Sequence, residues 1–141
     1  MDQLTTFALW VHFLSIGMAG MATFGIPVAL LASKSAPAQQ RPAVGAILMK
    51  LAAFGRMAIA LLIVSGVVIV GARYSGGGLN GWFHVKMVFV AAIVVLALYN
   101  KRNGAKASAG DAAAVARMPM LGKIGIGLFA AVILLAVLAF G

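Results

Sequence analysis

The feature that most constrains this chain is a series of four long apolar stretches separated by short basic segments. The first stretch carries no Asp, Glu, Lys or Arg from Gln3 to Ser33. A helix needs ~20 apolar residues to cross the ~30 Å hydrocarbon core of a bilayer. With 141 residues, 64% of them hydrophobic and 9% charged, the chain has room for about four such helices. The sequence therefore predicts an all-α integral membrane protein, a four-helix bundle forming a single domain.

The predicted transmembrane helices cover residues 5–32, 46–72, 81–100 and 120–140. Pro27 and several glycines lie within the first helix, where a membrane bundle tolerates a kink and uses small residues for close packing. The run Gly76–Gly78 predicts a short turn between the second and third helices. The Ala-rich linker before helix four contains Asp111, which is expected either to cap a short helical turn or to lie in a disordered connector.

The distribution of basic residues predicts the orientation of the helices. Most Lys and Arg residues fall in the first and third loops or in the helix turns beside them. The positive-inside rule places these loops in the cytoplasm, so both termini are expected on the outer, periplasmic side of a bacterial inner membrane. The net charge of +9 is accounted for by these loops. No stacking aromatic residues are interleaved with the charges, so we expect the lipid bilayer as a partner and no nucleic acid.

Composition also limits the chemistry. The chain has no cysteine, which excludes disulfides, thiolate metal sites, iron–sulfur clusters and covalently attached haem. Its two acidic residues are Asp2 and Asp111. Any metal is therefore expected to be held by His, Met, Lys or a carboxylate.

Two Trp-x-His sequences, Trp10-Val11-His12 and Trp82-Phe83-His84, form the principal candidate site. Tryptophan concentrates at membrane interfaces, and helices one and three are predicted to run in the same direction. His12 and His84 are therefore expected at similar depth, about 3 Å inside their tryptophans. Two imidazoles at one level can ligate the iron of a b-type haem from opposite sides.

Copper is the alternative metal for the same two histidines. Met87 lies on the His84 side, and Met18 or Met21 lies one or two turns below His12, so thioether ligands are at hand. The face of helix one beneath His12 carries small residues, which suit a flat macrocycle and a neighbouring helix equally well. This face consists of Ser15, Ala19 and Thr23.

Three cationic residues are further candidates for the site. Lys86 lies two positions from His84, about 200° around a helix, so only one of the two is expected to point into a shared cavity. Arg73 ends helix two at the outer level, where it would either anchor among lipid headgroups or pair with a haem propionate. Arg56 is expected to snorkel toward the cytoplasm, or to face an anion if it points into the bundle.

Several of these features together resemble a known family. They are His12 followed by Ala19-Gly20 and Pro27, Arg56 early in helix two, and the run from Gly81 through Trp82, Phe83, His84 and Val85 to Lys86. This pattern resembles the short HemJ-type protoporphyrinogen oxidases and, more loosely, the CopD-like four-helix membrane proteins. Val28 stands where the HemJ-type proteins usually have an arginine.

The resemblance implies a membrane-bound b-type haem and oxidation of protoporphyrinogen IX to protoporphyrin IX. It places the functional histidine at His12 and the functional lysine at Lys86, with Arg56 as a second catalytic candidate. Electrons would pass from the tetrapyrrole to a quinone or another respiratory acceptor. His12 would be an axial ligand, His84 or Lys86 the second ligand or a substrate-facing group, and Arg73 a propionate partner.

Two other functions remain open from the sequence. One is copper handling of the CopD-like type, using His12 and His84. The other is a non-catalytic accessory subunit whose glycine-rich faces pack in a homo-oligomer or in a larger membrane complex.

Overall fold

A computed structural model describes residues 3–74 and 80–140, and this part of the chain is all helical. Its elements are α1 (Gln3–Ser35), α2 (Arg41–Tyr74), α3 (Gly81–Ser108) and α4 (Ala112–Phe140). All four helices are long and apolar enough to cross a membrane. The prediction of an all-α protein with four membrane-spanning helices is confirmed to that extent. Asp2 and the predicted turn at Gly76–Gly78 lie outside the described residues.

Every helix extends beyond its predicted core at one or both ends, because residues that flank the apolar runs continue the helical hydrogen bonding. Helix α2 begins at Arg41 with Pro42 in its first turn, a position where the missing backbone N–H of proline removes no helical bond. The predicted linker before helix four is also largely helical, since alanine has the highest helix propensity.

The turn between α3 and α4 is short. Asp111 is the N-cap of α4, with its Oδ1 accepting a hydrogen bond from Ala114 N at 3.1 Å. Gly110 has φ of 92°, a left-handed conformation that glycine adopts without steric cost. Of the two interpretations of Asp111, the structure therefore shows the helix cap.

The chain divides into two compact units, Met1–Gly78 and Leu79–Gly141. In the first unit, α1 and α2 pack as an antiparallel hairpin. A Cβ atom added to Gly55 would lie 3.0 Å from Ala22 Cβ, and one added to Gly25 would lie 3.5 Å from Leu51. Small residues thus bring the two backbones close, which is a common way for membrane helices to associate.

In the second unit, asparagine side chains join α3 and α4 near both ends of the hairpin. Asn103 is buried and donates from Nδ2 to the carbonyl of Ala114 at 2.9 Å. Asn80 donates to the carbonyl of Ala139 at 3.1 Å, satisfying a group in the last turn of α4, where carbonyls lack helical partners. These two bonds set the antiparallel register of the hairpin.

Candidate functional site around His12

One face of α1 is lined by small residues with heptad spacing. Its buried members recur at intervals of three and four positions, the pattern that keeps one helix face against a neighbour. They are Thr5, Ala8, Ser15, Ala19 and Ala22. His12 occupies the remaining heptad position on this face, and it is half-buried.

This face packs against α2. His12 bonds to Ser65 and Ala22 approaches Gly55, so Ser15 and Ala19, which lie between those contacts, are covered by α2. The sequence left two occupants open for this stripe, a macrocycle or a neighbouring helix. The structure shows the neighbouring helix.

The hydrogen bond between His12 and Ser65 determines which imidazole nitrogen carries a proton. His12 Nδ1 lies 2.9 Å from Ser65 Oγ. The Ser65 hydroxyl has one hydrogen, which it donates to the Leu61 carbonyl at 2.6 Å. Because the Leu61 carbonyl is the closest acceptor of this hydrogen, we assign a proton to His12 Nδ1, which then donates to Ser65 Oγ. A neutral His12 consequently carries its lone pair on Nε2.

Ser65 is the residue of this site that the sequence analysis did not single out. It is buried, with 4% of its surface exposed, and it is the only serine or threonine in α2. A lone hydroxyl in an otherwise apolar run was the available signal. Serine in a membrane helix can satisfy itself with a carbonyl of its own helix, so its partnership with His12 required the pairing of α1 with α2.

Ser15 shows that local alternative. It is completely buried and donates to the carbonyl of Val11, one turn earlier in the same helix, at 2.7 Å. Ser15 and Ser65 thus have different roles between α1 and α2, since of the two serines only Ser65 contacts the His12 imidazole.

His84 lies in the second unit, in the first turn of α3, and is exposed. Its Nδ1 lies 3.2 Å from the carbonyl of Asn80, an acceptor, so Nδ1 carries the proton in this bond. Its ring meets that of Phe83 edge to face, with centroids 5.9 Å apart. The lone pair of a neutral His84 is therefore also on Nε2.

Lys86 and His84 have different surroundings, as the helical angle between them requires. Lys86 is half-buried while His84 is exposed, and the Lys86 Nζ lies 5.5 Å from the centre of the Phe83 ring. This is a cation–π distance. Of the two residues, Lys86 has the more shielded side chain.

The two arginines considered from the sequence are both exposed. Arg56 lies in the middle of α2, next to Gly55, but points away from the contact that Gly55 makes with Ala22. Arg73 lies in the last turn of α2, where a cation is favourable near the carbonyl end of the helix dipole.

The side chains that could ligate a metal can be compared with the ligands that a metal ion or a haem iron requires. Within residues 3–74 and 80–140, no group of three or more His, Cys, Asp or Glu side chains comes together. A b-type haem needs one or two axial nitrogens with lone pairs, and ligating histidines usually donate their other N–H to a second group. His12 has this arrangement through Ser65, and His84 has it through Asn80.

Comparison of the chain with protein-family models, with curated proteins and with solved structures gave no match.

Proposed function

We propose that this chain is a small multi-pass membrane protein that binds b-type haem through His12 and transfers electrons, in the manner of the HemJ-type protoporphyrinogen oxidases. The observation that carries the proposal is the bond from His12 Nδ1–H to Ser65, whose own proton goes to Leu61. It holds the ring and puts the lone pair on Nε2, the atom that would ligate iron. The bound haem would supply reversible one-electron chemistry.

From the two Trp-x-His sequences and the family resemblance, we propose His84 or Lys86 for the second axial position. His84 offers an Nε2 lone pair and a second-shell bond to Asn80, which is the usual support for a ligating imidazole. Lys86 offers a half-buried ammonium beside an aromatic ring, which suits a group that contacts an anionic tetrapyrrole. We therefore propose either His84 as the second ligand or Lys86 as the substrate-facing cation, with Arg73 as a propionate partner.

The substrate in this proposal is protoporphyrinogen IX or a similar hydrophobic tetrapyrrole, and the electrons pass to a quinone or another respiratory acceptor. Lys86 would hold a carboxylate of the tetrapyrrole by a charge-assisted bond, and Arg56 is the second catalytic candidate. The small face of α1 is filled by α2, so the proposal does not use that face as a macrocycle platform. The protein is placed in the bacterial inner membrane, with both termini outside.

The test is an absorption spectrum of detergent-purified protein from haem-replete cells, oxidised and after dithionite. We expect a Soret band that is lost or shifted in His12→Ala and changed in ligand field in His84→Ala. Lys86→Met should keep the band but lose protoporphyrinogen oxidation, whereas Lys123→Met, an exposed lysine of α4, should change neither. A colourless wild-type preparation, or a band indifferent to His12→Ala, would refute haem ligation by His12.

Metal analysis of the same preparations separates haem from copper. Iron that follows the Soret band supports the proposal. Stoichiometric copper in a colourless protein, lost in His12→Ala, would instead establish the CopD-like alternative.

A further inference from the structure

A small basic pocket lies at the turn end of the α3–α4 hairpin, apart from the His12 site. It has a volume of about 220 Å³, roughly seven times the ~30 Å³ that one molecule occupies in liquid water. Helix α3 contributes four of its lining residues and α4 contributes one. They are Tyr99, Arg102, Asn103, Lys106 and Arg117.

Three positive charges surround this pocket. Arg102 and Lys106 are four residues apart on α3, an arrangement in which like charges destabilise a helix. Arg117 faces the same space from α4. The single carboxylate in the described part of the chain, that of Asp111, is used to cap α4. A bound anion would offset the repulsion among these cations.

A hydrogen bond between α3 and α4 fixes the shape of the pocket. Asn103, one of its walls, is buried and bonds to the carbonyl of Ala114 at 2.9 Å, which ties the Arg102 turn of α3 to the start of α4. The guanidinium groups are therefore carried on two helices whose spacing is fixed. Arginine forms paired hydrogen bonds with phosphate oxygens, and a fixed spacing favours such bonds.

The sequence predicts that the pocket lies at the depth of lipid headgroups. Tyr99 follows directly on the apolar run from Val88 to Leu98, and Arg102 lies about one turn beyond Tyr99. Tyrosine concentrates at the membrane interface, and basic pockets between membrane helices bind phosphate-bearing headgroups. The basic depression at the α1–α2 turn is larger, about 500 Å³, and has two cations, Lys34 and Arg41.

We propose that the pocket formed by Arg102, Lys106 and Arg117 is a binding site for a phosphate-bearing anion at the membrane surface. The phosphate comes either from an anionic phospholipid headgroup or from a soluble phosphate compound. The site is independent of haem, so its test and that of the His12 proposal can fail separately.

The experiment is native mass spectrometry of the full chain in detergent with equal amounts of phosphatidylglycerol and phosphatidylcholine. We expect phosphatidylglycerol to be retained preferentially. The double variant Arg102→Gln with Arg117→Gln should lower its retention by roughly thirtyfold, on the basis of about 1 kcal/mol per basic residue. The matched control, Lys101→Gln with Lys123→Gln, removes two exposed charges from the same helices outside the pocket and should have little effect.

A second set of variants and a competition with inorganic phosphate complete the mass-spectrometry experiment. If the double variant does not fold, single variants Lys106→Gln and Lys101→Gln replace the pair, since both lysines are exposed. Inorganic phosphate that displaces the lipid identifies a soluble phosphate as ligand, whereas retention of the lipid identifies the headgroup. Equal loss in pocket and control variants, or a wild type that neither prefers the anionic lipid nor binds inorganic phosphate, overturns the proposal.

Discussion

At the scale of single residues, the most informative contact is the one between His12 and Ser65. The Ser65 hydroxyl lies 2.6 Å from the Leu61 carbonyl, and the tautomer assigned to His12 rests on the donation of the serine proton to that carbonyl. A hydrogen bond between membrane helices contributes only about 0.6 kcal/mol on average. The main effect of Ser65 is therefore the orientation of His12 rather than the stability of the hairpin.

Replacing Ser65 should show this difference. In Ser65→Ala the acceptor for His12 Nδ1–H is lost, so nitrogen-15 NMR of the histidines should report a changed tautomer balance for His12. The free energy of unfolding should fall by no more than about 1 kcal/mol, as measured by thermal unfolding in detergent. Ser15→Ala is the control, because Ser15 bonds within its own helix. An unchanged His12 spectrum in Ser65→Ala would contradict the assignment.

At the scale of elements, different interactions hold the two helical hairpins together. The α1–α2 pair relies on small residues that allow close approach, and a Cβ added at Gly55 would lie 3.0 Å from Ala22 Cβ. The α3–α4 pair is joined by asparagine-to-carbonyl bonds near its two ends. Polar bonds tolerate small shifts in side-chain packing better than a close backbone contact does, so the first hairpin should be the more sensitive to added volume.

Added volume at Gly55 tests this. Gly55→Leu should destabilise the protein by about 1–3 kcal/mol, the usual effect of overpacking, measured by thermal unfolding. Gly71→Leu is the matched control on the same helix, because a Cβ there meets nothing within 4 Å. The double variant Ala22→Gly with Gly55→Ala moves one methyl group from α1 to α2, so it should keep most of the wild-type stability. If Gly55→Leu and Gly71→Leu lower the stability equally, the close contact between Gly55 and Ala22 does not hold the hairpin together.

At the scale of the whole molecule, the charge distribution predicts the orientation of the helices in a membrane. The basic residues are concentrated at the α1–α2 and α3–α4 turns, including both basic pockets. Translocation of such segments is disfavoured, and the negative surface potential of the cytoplasmic leaflet attracts them. Both effects favour the same orientation, with these turns in the cytoplasm and the termini outside.

Cysteine labelling can test the orientation without background, since the chain has no native cysteine. In spheroplasts, Gln3→Cys should react with a membrane-impermeant maleimide, whereas Ser35→Cys and Ser108→Cys should react only after lysis. All three positions are exposed, and labelling after denaturation controls for reactivity. The opposite labelling pattern would show that the basic turns are outside.

The sequence by itself determined the number and type of membrane helices, because apolar length and the absence of charge within it are local properties. It also located the candidate histidines. It did not determine the partner of His12, the shielding of Lys86 relative to His84, or the filling of the small α1 face by α2. Those depend on which helix faces meet. The small face of α1 was equally suited to a macrocycle and to a neighbouring helix, and only tertiary packing decided between them.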